Sequence, residues 1–242
     1  MKAITENLPE ILFITSYPPR QCGIATYTMD LVKAMNQKFF NSFSIKICAL
    51  ESGEATFQYP EEVKYTLKTS EYEAYERLAQ TINKDKSIKI VLIQHEFGLF
   101  LKQENAFCQF LYRLTRPIVI AFHTVLPTQD SSLIEKVTRI ANACESIVVM
   151  THNSADILYH DYGIKSEKIS IIAHGTHLVL HENKDLLKER YGYKGRKVLT
   201  TFGLISSGKS IETTLEALPA IVSKNPEVVF LIIGKTHPEV VK

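Results

Sequence analysis

An eight-residue segment near the carboxyl end of the chain has the composition of a phosphate-binding loop. Residues Gly203–Ser210 read Gly-Leu-Ile-Ser-Ser-Gly-Lys-Ser, which matches the loop pattern of nucleotide hydrolases. In that pattern, backbone N–H groups surround the phosphates and the lysine supplies a positive charge. The segment lies between an apolar run and a segment of helical period, as the pattern requires. It therefore predicts a site for a phosphate-containing ligand.

Two interpretations of this loop are open. A nucleotide hydrolase also needs an acidic residue at the end of a following strand to hold magnesium, and the apolar run at 228–233 is followed by Gly-Lys-Thr-His instead. The second interpretation keeps the phosphate without hydrolysis. Gly203 then ends a strand, and Lys209 lies in the first turn of the next helix beside free N–H groups. The Ser206 or Ser207 hydroxyl caps that helix, and the arrangement suits a nucleotide diphosphate as a leaving group.

A second candidate segment follows the first apolar run, at 11–14. Pro18 and Pro19 exclude both strand pairing and an early helix there, and Gly23 lets the backbone approach a ligand closely as the helix opens. A stiff strand-to-helix turn is the alternative, but the turn that contains Arg20 is longer than such a connection needs. We expect a cradle for a sugar or a phosphate.

Histidines follow two further apolar runs, His95 with Glu96 after one and His123 after the next. No second histidine lies four residues beyond His95, so this pair is not a zinc motif. An imidazole at such a position can bind a polar substrate, and the alternative is a histidine that caps a loop. His174 and His177 invite a metal site, but a glycine between them indicates a loop and no cysteine or carboxylate has matching spacing. We expect no metal.

These segments must be positioned by the elements around them. Short β-branched runs lie at 11–14, 44–49, 88–93, 118–122, 146–150, 169–173, 198–202 and 228–233. Segments of helical period lie between many of them. This alternation predicts an α/β fold, in which buried parallel strands form a doubly wound, Rossmann-like sheet with helices on both faces. Ligands then bind at the carboxyl ends of the strands, where the candidate segments lie.

The same pattern predicts one complete domain and the start of another. The first six runs form an N-terminal domain at 1–178, and a charged linker follows at 179–196. The remainder, 197–242, is a single βαβ unit, which is too short to bury its own core. We therefore expect the second domain to be incomplete.

The composition excludes several classes of protein. The 242 residues carry 28 basic and 26 acidic side chains, for a formal net charge of +2, and the two signs are interspersed. Without a basic stripe we expect no nucleic-acid partner. The four cysteines are widely spaced and form no Cys-x-x-Cys pair, which favours a reducing cytoplasm. No apolar run approaches the length of a membrane span.

Four ordered motifs together resemble the family 4 retaining glycosyltransferases, nucleotide-sugar enzymes of the GT-B fold. Within that family, the resemblance is to a mannosyltransferase-like subgroup. The motifs are the glycine loop at 17–31, the mid-domain segment at 94–98, the strand end and loop at 202–209, and the segment at 234–238. The resemblance covers essentially the whole chain.

The resemblance implies an N-terminal acceptor domain and a C-terminal donor domain. The reaction would transfer a hexosyl unit, mannosyl in the subgroup, from a nucleotide-sugar to an acceptor hydroxyl with retention. By the motif match, the residues on the donor side are Gly23, Gly203, Ser206, Gly208 and Lys209. Those on the acceptor side are Arg20, His95 and Glu96, and the catalytic residue beside the transferred sugar is His123. Lys209 would stabilise the charge that grows on the diphosphate as the bond breaks.

The resemblance also implies the partners. The donor substrate is a nucleotide-sugar, the acceptor is a carbohydrate or a lipid-linked molecule, and neither a cofactor nor a metal is expected. Family members that act on lipid-linked acceptors dock on a membrane through the N-terminal domain. We therefore expect a cytoplasmic protein with peripheral contact at the inner membrane face, and self-association through the incomplete second domain.

The sequence departs from the family pattern at several positions. Leu204 stands where the family commonly has arginine, Ser210 replaces a glycine, and Leu101 with Lys102 replaces a small turn. The paired glutamates that hold the ribose and the sugar in the family would lie beyond Lys242. We therefore expect the N-terminal portion of an enzyme, inactive alone in sugar transfer. The alternatives are a non-catalytic module that binds a sugar or a partner and, third, a nucleotide hydrolase.

Overall fold

The structure is a computed structural model that describes residues 8–52, 57–100, 103–236 and 240. Of the residues named above, Leu101, Lys102 and Lys242 lie outside the described residues, as do residues 237 and 238 of the fourth motif. The chain divides into two compact units, Met1–Gly175 and Thr176–Lys242. The limits given above for the N-terminal domain, the linker and the second domain stay a prediction.

A seven-stranded parallel sheet forms the first unit. Its strands are β1 (Glu10–Thr15), β2 (Ser44–Glu51), β3 (Val63–Lys68), β4 (Ile88–His95), β5 (Ile118–Phe122), β6 (Ser146–Val149) and β7 (Ile169–Ile171). They lie in the order β3-β2-β1-β4-β5-β6-β7, and every neighbouring pair is parallel. The helices are α1 (Gly23–Lys38), α2 (Tyr72–Lys84), α3 (Phe97–Phe100), α4 (Glu104–Arg113), α5 (Ser131–Ala143) and α6 (His152–His160).

The sequence of β1 explains why helices cover both faces of this sheet. Successive side chains of a strand project to opposite faces. Leu12 and Ile14 belong to one buried cluster, which includes residues of α2, α4 and α5, whereas Phe13 belongs to a second cluster with Val32 of α1. The three β1 side chains have 0% exposure, as expected of a central parallel strand. The predicted α/β fold is confirmed.

The apolar runs do not predict β3. This strand lies at the edge of the sheet, and Lys64, Thr66 and Lys68 alternate in it with Tyr65 and Leu67. Leu67 is the one buried side chain of the strand. Because an edge strand has a solvated face, it lacks the continuous apolar run that marks a central strand. The prediction of six strands was therefore wrong, and the sheet has seven.

The described residues of the second unit form two α-helices, a short 3-10 turn and a two-stranded sheet. Its elements are α7 (Lys184–Arg190), β8 (Lys197–Ile205), α8 (Ile211–Lys224) and β9 (Val228–Thr236). β8 and β9 pair in parallel on either side of α8 in the sequence, which confirms the predicted βαβ unit. Phe202 is 72% exposed and Ile233 is 55% exposed, so the prediction of buried strands was wrong for this unit. A two-stranded sheet with one crossover helix cannot cover both of its faces.

Two findings bear on the environment of the protein. Within the described ranges, no helix combines the length and the apolar character needed to cross a membrane. Cys22, Cys48, Cys108 and Cys144 are all free thiols, in agreement with the spacing argument.

Candidate functional site

The strand order creates a crevice at one edge of the first unit. The chain winds outward from β1 in one direction through β2 and β3, and then in the other from β4 to β7. In such sheets, ligands bind beyond the carboxyl ends of the strands where the order reverses, which here is between β1 and β4. Arg20 and Gly23 follow β1, Glu96 follows β4 and His123 follows β5. The sheet thus brings the predicted residues of this unit to one edge.

The amino end of α1 is open at this edge. Gly23 begins the 16-residue helix, Cys22 precedes it without a side-chain capping bond, and the first turn contains no acidic residue. A Cβ placed on Gly23 would meet no atom within 4 Å. The helix is held to β1 by a 2.8 Å hydrogen bond between the Thr15 and Thr28 hydroxyls. Free N–H groups and the helix dipole at such an end favour an anion.

His123 is held by contacts from three directions. Its Nε2 lies 2.7 Å from the side-chain Oε1 of Gln94, and its backbone N–H donates to the carbonyl of His95 at 3.0 Å. The ring of Tyr27, from α1, meets the imidazole edge to face at 5.1 Å between centroids. Tyr27 also contacts His174, at 4.8 Å.

The electrostatics of this cluster favour a neutral His123. Burial, with a smaller effect of the nearby His174, lowers the pKa of His123 to about 4. Burial also raises the pKa of Tyr27. Near pH 7 both side chains are therefore uncharged and able to exchange hydrogen bonds with a hydroxyl.

His95 lies in the core behind this edge. Its side chain is 2% exposed and is surrounded by the rings of Phe97, Phe100, Phe107 and Phe122. Burial, with a smaller effect of His123, lowers its pKa to about 3. Its Nδ1 is buried without a hydrogen-bond partner. An acceptor could reach the ring only if the phenylalanines moved, so the burial gives no support to the predicted acceptor contact, which stays a prediction.

Glu96 and Arg20 are both engaged within the protein. One carboxylate oxygen of Glu96 accepts from the backbone N–H of Phe97 at 3.1 Å, and the other accepts from the Thr124 hydroxyl at 2.5 Å. Glu96 therefore ties the start of α3 to the segment after β5. Arg20 donates from Nη1 to the carbonyl of Leu50 at 3.1 Å. The acceptor role of these two residues also stays a prediction.

The loop of the second unit differs from the predicted phosphate loop in its backbone. β8 continues to Ile205, so Gly203 lies within the strand rather than at its end. Lys209 belongs to a short 3-10 turn, and Ser210 follows with φ 45° and ψ 45°, a left-handed conformation. This residue interrupts the helical path, so Lys209 precedes α8 instead of lying in its first turn. Ser206 makes no side-chain capping bond to the turn. The residue that precedes α8 is Ser210, so the predicted cap of that helix by Ser206 or Ser207 was wrong.

The turn nevertheless places a cation beside the strand. A Cβ added to Gly203 would lie 3.7 Å from the Nζ atom of Lys209 and 3.8 Å from its Cε. A Cβ added to Gly208 would lie 3.8 Å from the hydroxyl of Ser206. An ammonium group thus lies beside Gly203, and a serine hydroxyl lies beside Gly208. This set can bind phosphate oxygens, although its geometry is not that of a lysine on a helix that opens directly from the loop.

The part of the chain that the structure describes contains no group of three or more histidine, cysteine or acidic side chains placed to hold a metal ion.

The sequence patterns did not reveal the roles of Tyr27 and Gln94. Tyr27 lies within the motif at 17–31 but is not among the predicted site residues, whereas it contacts two histidines. Gln94 is 1% exposed at the end of β4, and a buried amide usually has a hydrogen-bond partner nearby. A polar residue at the end of an apolar run was thus the available signal for Gln94.

Comparisons with known proteins identify the fold. No protein-family model matches the sequence, and no curated protein matches it. Among solved structures, S. aureus MnaA in a co-structure with UDP is 18% identical over 97% of this chain, with a TM-score of 0.57. A glycosyltransferase from Rickettsia africae ESF-5 is 12% identical over 98%, with a TM-score of 0.60. An alpha-glucosyltransferase in complex with UDP and a 13-mer DNA containing a HMU base is 10% identical over 96%, with a TM-score of 0.52.

The chain spans 65%, 70% and 68% of the lengths of these three structures. At these identities the likeness establishes the fold, and the GT-B-like α/β class predicted from the sequence is confirmed.

Proposed function

We propose that this chain takes part in the transfer of a hexosyl unit from a nucleotide-sugar to an acceptor hydroxyl. One observation carries the proposal: an open helix terminus that suits an anion and a neutral histidine that suits a hydroxyl lie at the same edge of a doubly wound sheet. A nucleotide-sugar presents both chemistries in one molecule. The fold agrees, because structures with a similar fold include one named a glycosyltransferase and two solved with UDP.

In the proposed reaction, the bond between the anomeric carbon and the diphosphate oxygen breaks, and the diphosphate takes the electron pair. The acceptor oxygen forms the new bond to that carbon and passes its proton to an oxygen of the departing diphosphate. Positive groups lower the barrier when they meet the charge that develops on the leaving group. In the first unit, Gly23 at the start of α1 is proposed to supply backbone N–H groups for this purpose. In the second unit, an ammonium from Lys209 is proposed on the family resemblance alone. Gly203, Ser206 and Gly208 complete the donor side.

His123 is proposed to bind the transferred sugar. A neutral imidazole can accept a hydrogen bond from a sugar hydroxyl, and burial keeps this imidazole neutral because it lowers its pKa to about 4. Retention and a mannosyl donor are proposed on the resemblance to the family 4 enzymes alone. Arg20, His95 and Glu96 remain the proposed acceptor side, toward a carbohydrate or a lipid-linked acceptor.

The proposal places the protein in the cytoplasm and assigns it neither a cofactor nor a metal. Four free cysteines support a reducing compartment. Self-association through the second unit is proposed because apolar side chains such as Phe202 and Ile233 are exposed on it.

Binding of nucleotides tests the donor side. Isothermal titration calorimetry with UDP, GDP, UDP-glucose and GDP-mannose should give measurable affinity for at least one nucleotide-sugar. Lys209→Ala should weaken that affinity by roughly tenfold, which corresponds to about 1.4 kcal/mol. The matched control is Lys224→Ala, because Lys224 is also an exposed lysine of the second unit but lies in the last turn of α8; it should bind like the unmodified protein.

Two results would contradict the proposal. One is folded protein that binds none of the four nucleotides, and the other is equal weakening by both lysine substitutions. Magnesium-dependent ATP or GTP hydrolysis that Lys209→Ala abolishes would instead favour the hydrolase.

A further inference from the structure

We propose that Gln94 is a positioning residue that holds His123 in the tautomer with the proton on Nε2, so that Nδ1 is free to accept a hydrogen bond from a substrate hydroxyl. The identification of that hydroxyl as one of the transferred sugar rests on the proposed function. The tautomer itself does not.

The sheet fixes the two side chains relative to one another. Gln94 of β4 is paired with Ala121 of β5, and His123 is two residues beyond Ala121. Residues two apart along extended backbone project to the same side of the sheet. The backbone bond from His123 to the carbonyl of His95 continues the β4–β5 pairing past the end of β5. Gln94 and His123 are therefore diagonal neighbours on one face of the sheet. Main-chain hydrogen bonds between the two chain segments hold both residues in place.

The atoms in contact decide where the proton lies. The partner of His123 Nε2 is the carbonyl oxygen Oε1 of Gln94, at 2.7 Å. An amide oxygen can only accept, so the ring nitrogen that faces it must carry hydrogen. A neutral imidazole has one N–H, and its other nitrogen, Nδ1, then has a free lone pair. Gln94 is 1% exposed, so solvent does not compete for its oxygen.

The free nitrogen is accessible. No described residue forms a hydrogen bond with Nδ1 of His123. Among the described side chains, the completely buried polar atoms that lack a partner do not include this nitrogen. Nδ1 is therefore not completely buried, in keeping with the intermediate burial of His123. The edge-to-face contact with Tyr27 limits rotation of the ring. A ligand hydroxyl that reaches this edge consequently meets a fixed acceptor rather than a donor.

The tautomer can be measured directly. Long-range ¹H–¹⁵N correlation spectra of the histidine-labelled protein at pH 8 distinguish protonated from unprotonated ring nitrogens, and the signals that disappear in His123→Asn assign the residue. We expect a protonated Nε2 and an unprotonated Nδ1. A protonated Nδ1 in the unmodified protein would overturn the proposal without any variant.

Substitution of Gln94 tests its role. Gln94→Leu keeps a side chain of similar size but removes the acceptor, so the ratio of the two tautomers should shift toward Nδ1–H by about 2- to 10-fold, the range expected for one lost hydrogen bond. Gln94→Glu keeps an acceptor oxygen and should restore the Nε2–H form. The matched control is Gln109→Leu, since Gln109 Oε1 accepts from the Tyr72 hydroxyl at 2.6 Å on a helical surface; it should leave His123 unchanged. An unchanged ratio in Gln94→Leu would refute the positioning role.

A binding comparison separates this proposal from the proposed function. If Nδ1 accepts from the sugar, Gln94→Leu should weaken a nucleotide-sugar about 5-fold, a typical effect of one hydrogen bond, and leave the free nucleoside diphosphate unaffected. Equal weakening of both ligands would contradict the sugar contact. If the tautomer is as expected but no nucleotide-sugar binds to the unmodified protein, Gln94 positions His123 and the proposed function is wrong.

Discussion

The buried imidazole of His95 makes the stability of the first unit depend on mildly acidic pH. Burial lowers the pKa of His95 to about 3 in the folded protein, whereas an unfolded histidine has a pKa of about 6.5. Between these values the unfolded chain binds a proton that the folded chain does not. The stability associated with the neutral ring is therefore fully present above about pH 6.5 and is lost as the pH falls toward 3.

The size of the effect follows from the two pKa values. With about 3 in the folded state and about 6.5 in the unfolded state, the free energy of unfolding should be about 2 kcal/mol lower at pH 5 than at pH 7 through this residue alone. The surrounding rings explain why the folded protein does not simply take up the proton. The four phenylalanine rings around His95 contain no hydrogen-bond acceptor for a charged imidazolium; they belong to Phe97, Phe100, Phe107 and Phe122.

Urea unfolding, monitored by circular dichroism at pH 7 and pH 5, measures the loss. His95→Phe keeps an aromatic ring among the phenylalanines and removes the titrating group. Between the two pH values, the free energy of unfolding should fall by about 2 kcal/mol more in the unmodified protein than in this variant. His160→Gln is the control, because His160 is exposed at the end of α6; this variant keeps His95 and should still lose about 2 kcal/mol more of its free energy of unfolding than His95→Phe.

Equal pH dependence in His95→Phe and the unmodified protein would refute the reasoning. It would mean that the folded state accommodates a charged His95. The protonated ring would then have to reach water, which the 2% exposure of the side chain does not allow.

Two further predictions concern stability elsewhere. Asp85 accepts from Lys64 at 2.7 Å, from the Tyr65 hydroxyl at 2.9 Å and from the Ser87 backbone at 3.0 Å. Asp85→Ala should therefore lower the free energy of unfolding by about 2 kcal/mol in urea titrations. A loss below about 0.5 kcal/mol would show that these bonds are solvated. Gly234→Ala should destabilise the second unit by about 3 kcal/mol, because the new Cβ would lie 1.9 Å from the Gly203 carbonyl oxygen. Limited proteolysis of β8 and β9 measures this change, and Gly175→Ala, with no atom within 4 Å, is its control; equal proteolysis of both variants would contradict the predicted clash.

The sequence predicts the central strands well because their environment is uniform. A strand buried on both faces is mostly apolar, as β1 is from Ile11 to Ile14, so an apolar run is sufficient to locate it. β3 is different, because Lys64 and Lys68 occupy positions that an edge strand exposes. Its signal was the alternation of Tyr65 and Leu67 with polar residues, which is weaker over six residues than a continuous run.

The site is predictable in outline and not in detail. Strand ends share an edge, so the positions of Gly23, Glu96 and His123 follow from the strand order. The strand order does not reveal which neighbouring residue enters the core. The burial of His95 depends on Phe107, which comes from a helix later in the chain. Similarly, a left-handed backbone at Ser210 is uncommon for a residue with a side chain, so no pattern of residue types indicates it.

The facing glycines of β8 and β9 should make the effects of substitutions at distant positions depend on one another. Gly203 and Gly234 are register partners, and the second leaves no room for a Cβ beside the carbonyl of the first. The side chain of Lys209 also lies beside Gly203, where an added Cβ would be 3.7 Å from its Nζ atom. A substitution at 234 would thus move the strand on which the lysine rests, and its effect would depend on which residues occupy 203 and 209. Variation at these three positions should be strongly epistatic, so that any one of them changes only in company with the others.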